Sequence, residues 1–132
     1  MTKKEKAEIN KLLHDYLRLR WGDKCLHCGK QGILSMSHIF SKGSHRSMEF
    51  DEDNIIFLCY RCHIHFWHKS PIEATEWIKS VLPKEQYQRI YLRANTVQKG
   101  TRNYKLIKLY LNNKINNYAN QKKGKALKKE KI

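Results

Sequence analysis

The chain has 132 residues, 40% of them apolar and 30% charged, a balance typical of one small globular domain rather than of a disordered chain. Its longest apolar run, from Ile55 to Tyr60, has six residues, far fewer than the roughly 20 that cross a bilayer. The opening sequence MTKKEKAEI lacks the apolar stretch of about 7 to 15 residues that a secretory signal requires. We therefore expect a soluble, cytoplasmic protein with no membrane partner.

The formal net charge is +15, and most of it lies towards the C-terminus. Residues 98–132 contain eleven Lys or Arg and a single acid, Glu130, whereas the first 97 residues contain sixteen basic and eleven acidic side chains. Each phosphate that Lys or Arg neutralises releases condensed counterions, so this distribution predicts a polyanionic partner such as a nucleic acid. The alternative is a solvated basic surface that only aids solubility.

The first predicted element is an amphipathic helix over residues 3–20. Thr2, followed three positions later by Glu5, is typical of a capping box. Trp21 and Gly22 end the pattern, so residues 1–23 form an N-terminal helical segment. The apolar positions that recur at helical spacing are Ile9, Leu12, Leu13, Tyr16 and Leu17.

Residues 24–97 form the predicted core, in which two short strands precede two helices. The strands, Ile33 to Ile39 and Asn54 to Leu58, are expected to pair as a hairpin with a long loop. Ser70 as N-cap and Pro71 at the first helical position begin a helix that reaches Val81, and a second helix is predicted over residues 84–97.

Residues 98–132 are predicted to be a basic tail. Apolar side chains at helical spacing favour one more helix between Tyr104 and Tyr118. The final segment, QKKGKALKKEKI, has the composition of a disordered chain.

Four cysteines form two C-x-x-C pairs that are separated by 30 residues: Cys25 with Cys28, and Cys59 with Cys62. In a reducing compartment this pattern favours metal binding over disulfides. Four thiolates complete a tetrahedral zinc shell and leave no position for substrate, so we expect a structural Zn²⁺. Four unliganded thiols are the alternative, and a redox C-x-x-C is disfavoured because no βαβ pattern surrounds either pair.

The histidines around the cysteines lead to a family resemblance that covers about residues 24–80. His38 ends the first predicted strand, Asn54 begins the second, and His63 follows the last cysteine. This order, with a cysteine pair on each side of the hairpin, resembles the HNH, or ββα-metal, nucleases. The similarity is greatest to the phage recombination nucleases of the NinG (Rap) type and more distant to endonuclease VII-like resolvases. The segments that carry it are CLHCG, SHIFSKG, DEDNIIFLCYRCH and WHKSP.

The resemblance implies an α+β fold in which a small, zinc-stapled ββα-metal core is flanked by α-helices. It also implies three roles. His38 is the general base that takes a proton from the attacking water, which suits a neutral imidazole. Asn54 holds the hairpin loop and orients His38. His63 is a ligand of a catalytic divalent ion, Mg²⁺ or Mn²⁺ with Zn²⁺ as an alternative.

One position departs from many members of the family. They carry Asp or His before the general base as a second metal ligand, whereas this chain has Ser37, a poor ligand. His68 is a candidate second ligand, although at 100° per residue it lies 140° from His63. His65 and His45 are weaker candidates.

The resemblance implies DNA as the partner, either branched recombination intermediates or duplex, and a phage or prophage origin that places the protein in a bacterial host cytoplasm. Lys42, Arg46 and Arg61 are candidate phosphate contacts. A homodimer is expected if two opposed strands are cut. The competing hypothesis is a non-catalytic zinc-finger module that binds nucleic acid. A zinc nucleobase deaminase is excluded because His38 is not followed by the required x-Glu.

Overall fold

A computed structural model describes residues 1–96 and 103–130, with the side chains described as far as Gln121. The described residues divide into two compact units, one formed by the N-terminal and C-terminal helices and the other by the residues from Asp23 to Thr96. None of the described helices is long and apolar enough to cross a membrane. In chain order the elements are α1 (Lys3–Trp21), β1 (Leu34–His38), β2 (Ile55–Cys59), a π-helix (Cys62–His68), α2 (Pro71–Val81), α3 (Lys84–Ala94) and α4 (Tyr104–Glu130).

The predicted N-terminal helix is confirmed. The Thr2 backbone N–H donates to Glu5 Oε1 at 2.8 Å and the Glu5 N–H donates to Thr2 Oγ1 at 3.1 Å, which completes the capping box. The helix ends at Gly22, whose φ of +84° suits a glycine. Most of the apolar stripe of α1 is buried, and within this unit Glu8 accepts hydrogen bonds from Lys108 and Tyr104 on α4.

The C-terminal segment differs from the prediction. Residues 121–132 were expected to be disordered, yet α4 is helical as far as Glu130. Their Lys, Ala, Leu and Glu residues are strong helix formers, so propensity outweighs the repulsion between the lysines. The N-terminal and C-terminal helices, which are predicted as separate segments, lie in one compact unit. The predicted end of the helix at residue 97 and the start of the tail at 98–102 lie outside the described residues.

The predicted hairpin is confirmed to within one residue at each end. β1 and β2 are antiparallel, with Leu34 opposite Cys59 and His38 opposite Ile55. Every residue of β2 is buried, which explains why this strand has a continuous apolar sequence rather than an alternating one. A two-stranded sheet is marginal by itself, so the neighbouring helices and the cysteine cluster must stabilise it. The small α+β class is confirmed, whereas the HNH-type core stays a prediction.

A salt bridge from α3 holds the acidic end of the hairpin loop. Arg93 Nη1 lies 2.8 Å from Asp51 Oδ2 and 3.1 Å from Asp53 Oδ2, and both carboxylates are largely buried. The buried Gln86 donates to the Asp53 carbonyl at 3.0 Å. The turn that precedes Asn54 is therefore fixed by side chains about 40 residues further along the chain.

Helix α2 begins at Pro71 as predicted, but Ser70 does not cap it through its side chain. The stretch before it, Cys62–His68, is a π-helix. This form pairs residues i and i+5 instead of i and i+4, is rare, and often occurs at functional sites. It changes which side chains share a face and so determines the geometry of the histidines described below.

We expect Arg93→Ala to lower the free energy of unfolding by about 1 to 2 kcal/mol, because it removes the cation that bridges two largely buried carboxylates. Chemical denaturation followed by circular dichroism measures this. Arg89→Ala is the matched control, since Arg89 is half exposed and meets Asp53 only at 3.5 Å, and its effect should stay below about 0.5 kcal/mol. Equal losses of unfolding free energy in the two variants would contradict a specific stabilising role of Arg93.

Candidate metal centre and catalytic site

The four cysteines converge, so the predicted metal cluster is confirmed as a group that can hold an ion such as zinc. One sulfur from each of Cys25, Cys28, Cys59 and Cys62 lies within 4.8 Å of the others. The Cys28 and Cys59 sulfurs are 3.7 Å apart. A tetrahedral shell with Zn–S bonds of about 2.3 Å requires about 3.8 Å between sulfurs, so the donor set fits.

Backbone hydrogen bonds shape the first knuckle. The Gly29 N–H donates to the Cys25 carbonyl at 2.9 Å, and Gly29 has a φ of +78°, which favours glycine there. The Leu26 N–H donates to the Phe57 carbonyl at 2.9 Å, which attaches the knuckle to β2. The two cysteine pairs are thus brought together by main-chain contacts as well as by any ion.

The electrostatics of the cluster favour a cation. Burial raises the pKa of Cys25, but the backbone N–H groups of Cys28, Cys59 and His27 outweigh it and bring the value to about 7. Burial, followed by the neighbouring thiols, raises the pKa of Cys62. Four thiolates this close repel each other, and a divalent ion reduces that repulsion.

His27, inside the first knuckle, is a site residue that the sequence analysis missed. Its Nδ1 lies 3.4 Å from Cys62 Sγ. A metal-bound thiolate only accepts hydrogen bonds, so Nδ1 is the donor when Cys62 is a ligand. The ring also stacks on Phe66 of the π-helix, with centroids 4.0 Å apart, and meets the edge of Trp77 at 4.9 Å. The only sequence signal was a histidine between two ligands, since its partners lie 35 or more residues away.

His63 and His68 form a pair, with their Nε2 atoms 2.9 Å apart. The expectation that they face different directions assumed an α-helix and is wrong, because the π-helix aligns residues five apart. Two nitrogens at right angles around an ion with bonds of about 2.1 Å would be about 3.0 Å apart, so the pair fits a divalent cation. Burial, and then the charge of His68, lowers the pKa of His63 and favours the neutral form that ligates metals.

His38 is held by a backbone carbonyl. Its Nε2 lies 2.8 Å from the Glu49 oxygen, and because a carbonyl only accepts, Nε2 carries the proton. Nδ1 is therefore the basic nitrogen. Burial lowers the pKa of His38, the Glu49 carbonyl opposes this, and the charge of Lys42 adds to the lowering. The neutral imidazole is the form that a general base requires.

Asn54 is fully buried and holds the chain just after His38. Its Oδ1 accepts from the Phe40 N–H at 2.8 Å, and its Nδ2 donates to the Phe40 carbonyl at 2.9 Å and to the Met48 carbonyl at 3.3 Å. The expectation that its amide holds the hairpin loop is confirmed. Its contribution to catalysis stays a prediction.

A cavity of about 520 Å³ brings the histidines together. His38 reaches it from the end of β1, and His63 and His68 reach it from the π-helix. Lys42 also lines it, whereas Arg46 and Arg61 are exposed and do not. The remaining lining is apolar or neutral: Met36, Ile39, Phe40, Ser41, Trp67, Pro71, Ala74, Thr75, Ile78 and Tyr87.

Three other predicted positions lie outside this group. Ser37 is 1% exposed, does not line the cavity, and its hydroxyl finds no hydrogen-bond partner among the described residues. His45 Nδ1 lies 3.2 Å from the Ser41 carbonyl, and His65 Nδ1 lies 3.5 Å from Lys69 Nζ. The structure therefore selects His68 rather than Ser37, His45 or His65 as the neighbour of His63.

Comparison of the chain with models of known protein families, with curated proteins and with solved structures finds no match.

We expect one tightly held zinc ion per chain by native mass spectrometry, and faster zinc release to a chelator in His27→Phe. This variant retains the ring that stacks on Phe66 but removes the donor to Cys62 Sγ. Replacing partners of metal ligands typically weakens metal binding about 10- to 100-fold. Substitution with Co²⁺ gives a second readout, because the thiolate-to-metal absorption bands should shift when the hydrogen bond is lost.

His27→Asn and His65→Ala are the matched controls. The His27→Asn variant would keep a donor without the aromatic ring, and His65 lies on the π-helix away from the cluster. An unchanged rate of zinc release in His27→Phe, or an equal change in His65→Ala, would show that the hydrogen bond to Cys62 does not strengthen zinc binding.

Proposed function

We propose that this protein is a metal-dependent endonuclease of the HNH type that hydrolyses DNA phosphodiester bonds. The observation that carries the proposal is that His38, His63 and His68 line one cavity while Asn54 holds the loop behind His38. Histidines from two distant parts of the chain thus meet in an arrangement that general-base hydrolysis could use.

In this mechanism His38 removes a proton from the attacking water through Nδ1, while Glu49 fixes the tautomer at Nε2. Asn54 keeps the loop, and with it the imidazole, in position. His63 and His68 would hold a divalent ion, Mg²⁺ or Mn²⁺, which when bound supplies positive charge to the scissile phosphate and the leaving oxygen. Lys42 lies at the same cavity and would contact phosphate.

The cysteine cluster would hold the structural Zn²⁺ of this enzyme. Cys62 is the last of the four cysteines and the first residue of the π-helix, so an ion bound there orients the adjacent His63. By resemblance, the substrates would be branched intermediates of phage or prophage recombination. Arg46 and Arg61, which are exposed, would add phosphate contacts outside the cavity.

A non-catalytic zinc-finger module that binds nucleic acid is the second candidate. The position before His38, which supplies a carboxylate or imidazole in many nucleases of this class, is a buried serine that does not line the cavity. This alternative requires DNA binding that survives the loss of His38 and His63, and no cleavage with any divalent ion.

Cleavage of a labelled four-way junction and of a matched linear duplex, with Mg²⁺ or Mn²⁺, tests the proposal. We expect cleavage by the wild type and a rate about 10²- to 10⁴-fold lower for His38→Ala, because the general base is lost. His63→Ala should need more metal to reach the same rate. His65→Ala is the matched control and should cleave like the wild type. Absence of cleavage in all of them, or equal cleavage by His38→Ala, would exclude this mechanism.

The protonation state of His38 gives an independent check of its role as general base, because that role requires a neutral imidazole. Its pKa lies below the ordinary value of 6.5, mainly through burial, so it stays neutral as the pH falls through that value. The unfolded chain takes up this proton first, so the contribution of His38 to stability is present above pH 6.5 and is lost on acidification. NMR titration of the imidazole should give a midpoint below 6.5, and Lys42→Ala should raise it. A midpoint above 6.5 would contradict the burial argument.

A further inference from the structure

We infer that the cavity beside the histidines is a subsite for an unstacked nucleoside, so that the enzyme acts on DNA with an unpaired nucleotide next to the cleaved phosphate. The inference rests on the proposed function and adds the class of substrate. It follows from how charge and aromatic surface are divided within the cavity.

The cavity is polar on one side and apolar on the other. His38, His63, His68 and Lys42 are the groups suited to a phosphate, whereas the rest of the lining is mainly aliphatic and aromatic. A phosphate backbone alone is bound by cations and hydrogen-bond donors and needs no apolar wall. The apolar wall therefore requires a different part of the nucleotide.

Three half-buried rings line the apolar part: Phe40, Trp67 and Tyr87. Other rings support them from outside the cavity. Trp67 meets Trp77 edge to face with centroids 6.3 Å apart, and Phe40 has Tyr91 at 6.5 Å. Phe40 and Tyr87 are also neighbours, 6.2 Å apart. Rings fixed in this way offer a rigid surface on which a base can stack.

The volume fits this occupant. Ligand sites typically measure about 300 to 1,000 Å³ and combine an apolar lining with a few polar groups, and the cavity of about 520 Å³ lies in that range. Thr75, one of the few neutral polar side chains in the lining, already donates to the Pro71 carbonyl at 2.8 Å. Few polar groups remain that could hydrogen-bond to the edge of a base, so we expect bases to stack in the cavity with little sequence preference.

A base in a regular duplex is stacked between its neighbours and can enter the cavity only after it is extruded, which is costly. A base at a branch point, a gap or a single-stranded flap is already available. Stacking of one base on protein aromatic rings typically changes affinity by roughly five- to 150-fold. The cavity should therefore convert a general affinity for DNA into a preference for unpaired nucleotides near the histidines.

The test uses the full, zinc-loaded chain at fixed salt and without added Mg²⁺. Fluorescent 2-aminopurine is the unpaired base opposite a one-nucleotide gap, or the same base paired in the matched duplex. We expect quenching of 2-aminopurine in the gapped DNA and about tenfold tighter binding than to the duplex. Tyr87→Ala should lose most of this preference and Tyr87→Phe should keep it.

Leu92→Ala is the matched control, because Leu92 lies on the same helix α3, is 67% exposed and does not line the cavity, and this variant should keep the preference. Circular dichroism checks folding, and if Tyr87→Ala does not fold, Trp67→Leu replaces it in the same test. Equal binding of gapped and duplex DNA, or an equal loss in Leu92→Ala, would overturn the inference.

Cleavage of the same DNA with Mg²⁺ separates this inference from the proposed function. Cleavage of duplex and gapped DNA at equal rates would refute the nucleoside subsite and support the proposed nuclease. A binding preference that depends on Tyr87, without cleavage of any DNA, would refute the proposed nuclease and support a subsite for unpaired nucleotides.

Discussion

The convergence of four cysteine sulfurs within 4.8 Å is the constraint on which the core depends. The hairpin has only two strands and so little sheet to stabilise it. Cys25 and Cys28 lie in the preceding knuckle, Cys59 ends β2, and Cys62 begins the π-helix. A single ion would join all three elements and reduce the repulsion between the thiolates. Metal binding and folding of this unit would therefore be linked, as in other small metal-stapled domains.

The π-helix transmits that constraint to the candidate catalytic site. It begins at a cysteine of the cluster, and its i to i+5 pairing places His68 beside His63. His27 reinforces the link, because it contacts Cys62 through Nδ1 and Phe66 through its ring face. An ordinary α-helix over the same sequence would separate the two histidines, so the π-helical backbone is what brings the two imidazoles together.

Local signals predicted much of the fold. The capping box of Thr2, the proline at the start of α2 and the cysteine spacing each depend on residues close together in sequence, and each is confirmed. Contacts over long separations were not predictable in this way. Arg93 reaches Asp51 across 42 residues and His27 reaches Cys62 across 35. The π-helix was not predicted, because helical spacing was taken as 100° per residue. The helical end of α4 was predicted to be disordered, because the high charge of that segment was given more weight than its helix propensity.

The identity of the ligands bears on how substrate and ion would depend on each other. Many nucleases of the proposed class use a carboxylate before the general base, which reduces the charge of the ion. Here Ser37 is buried away from the cavity and the neighbouring groups are imidazoles, with burial keeping the pKa of His63 low. An ion held by His63 and His68 would keep its full charge, and two ligands leave most of its coordination sites for water and phosphate. In the proposed enzyme, DNA would therefore complete the site, and tight metal binding would require the substrate.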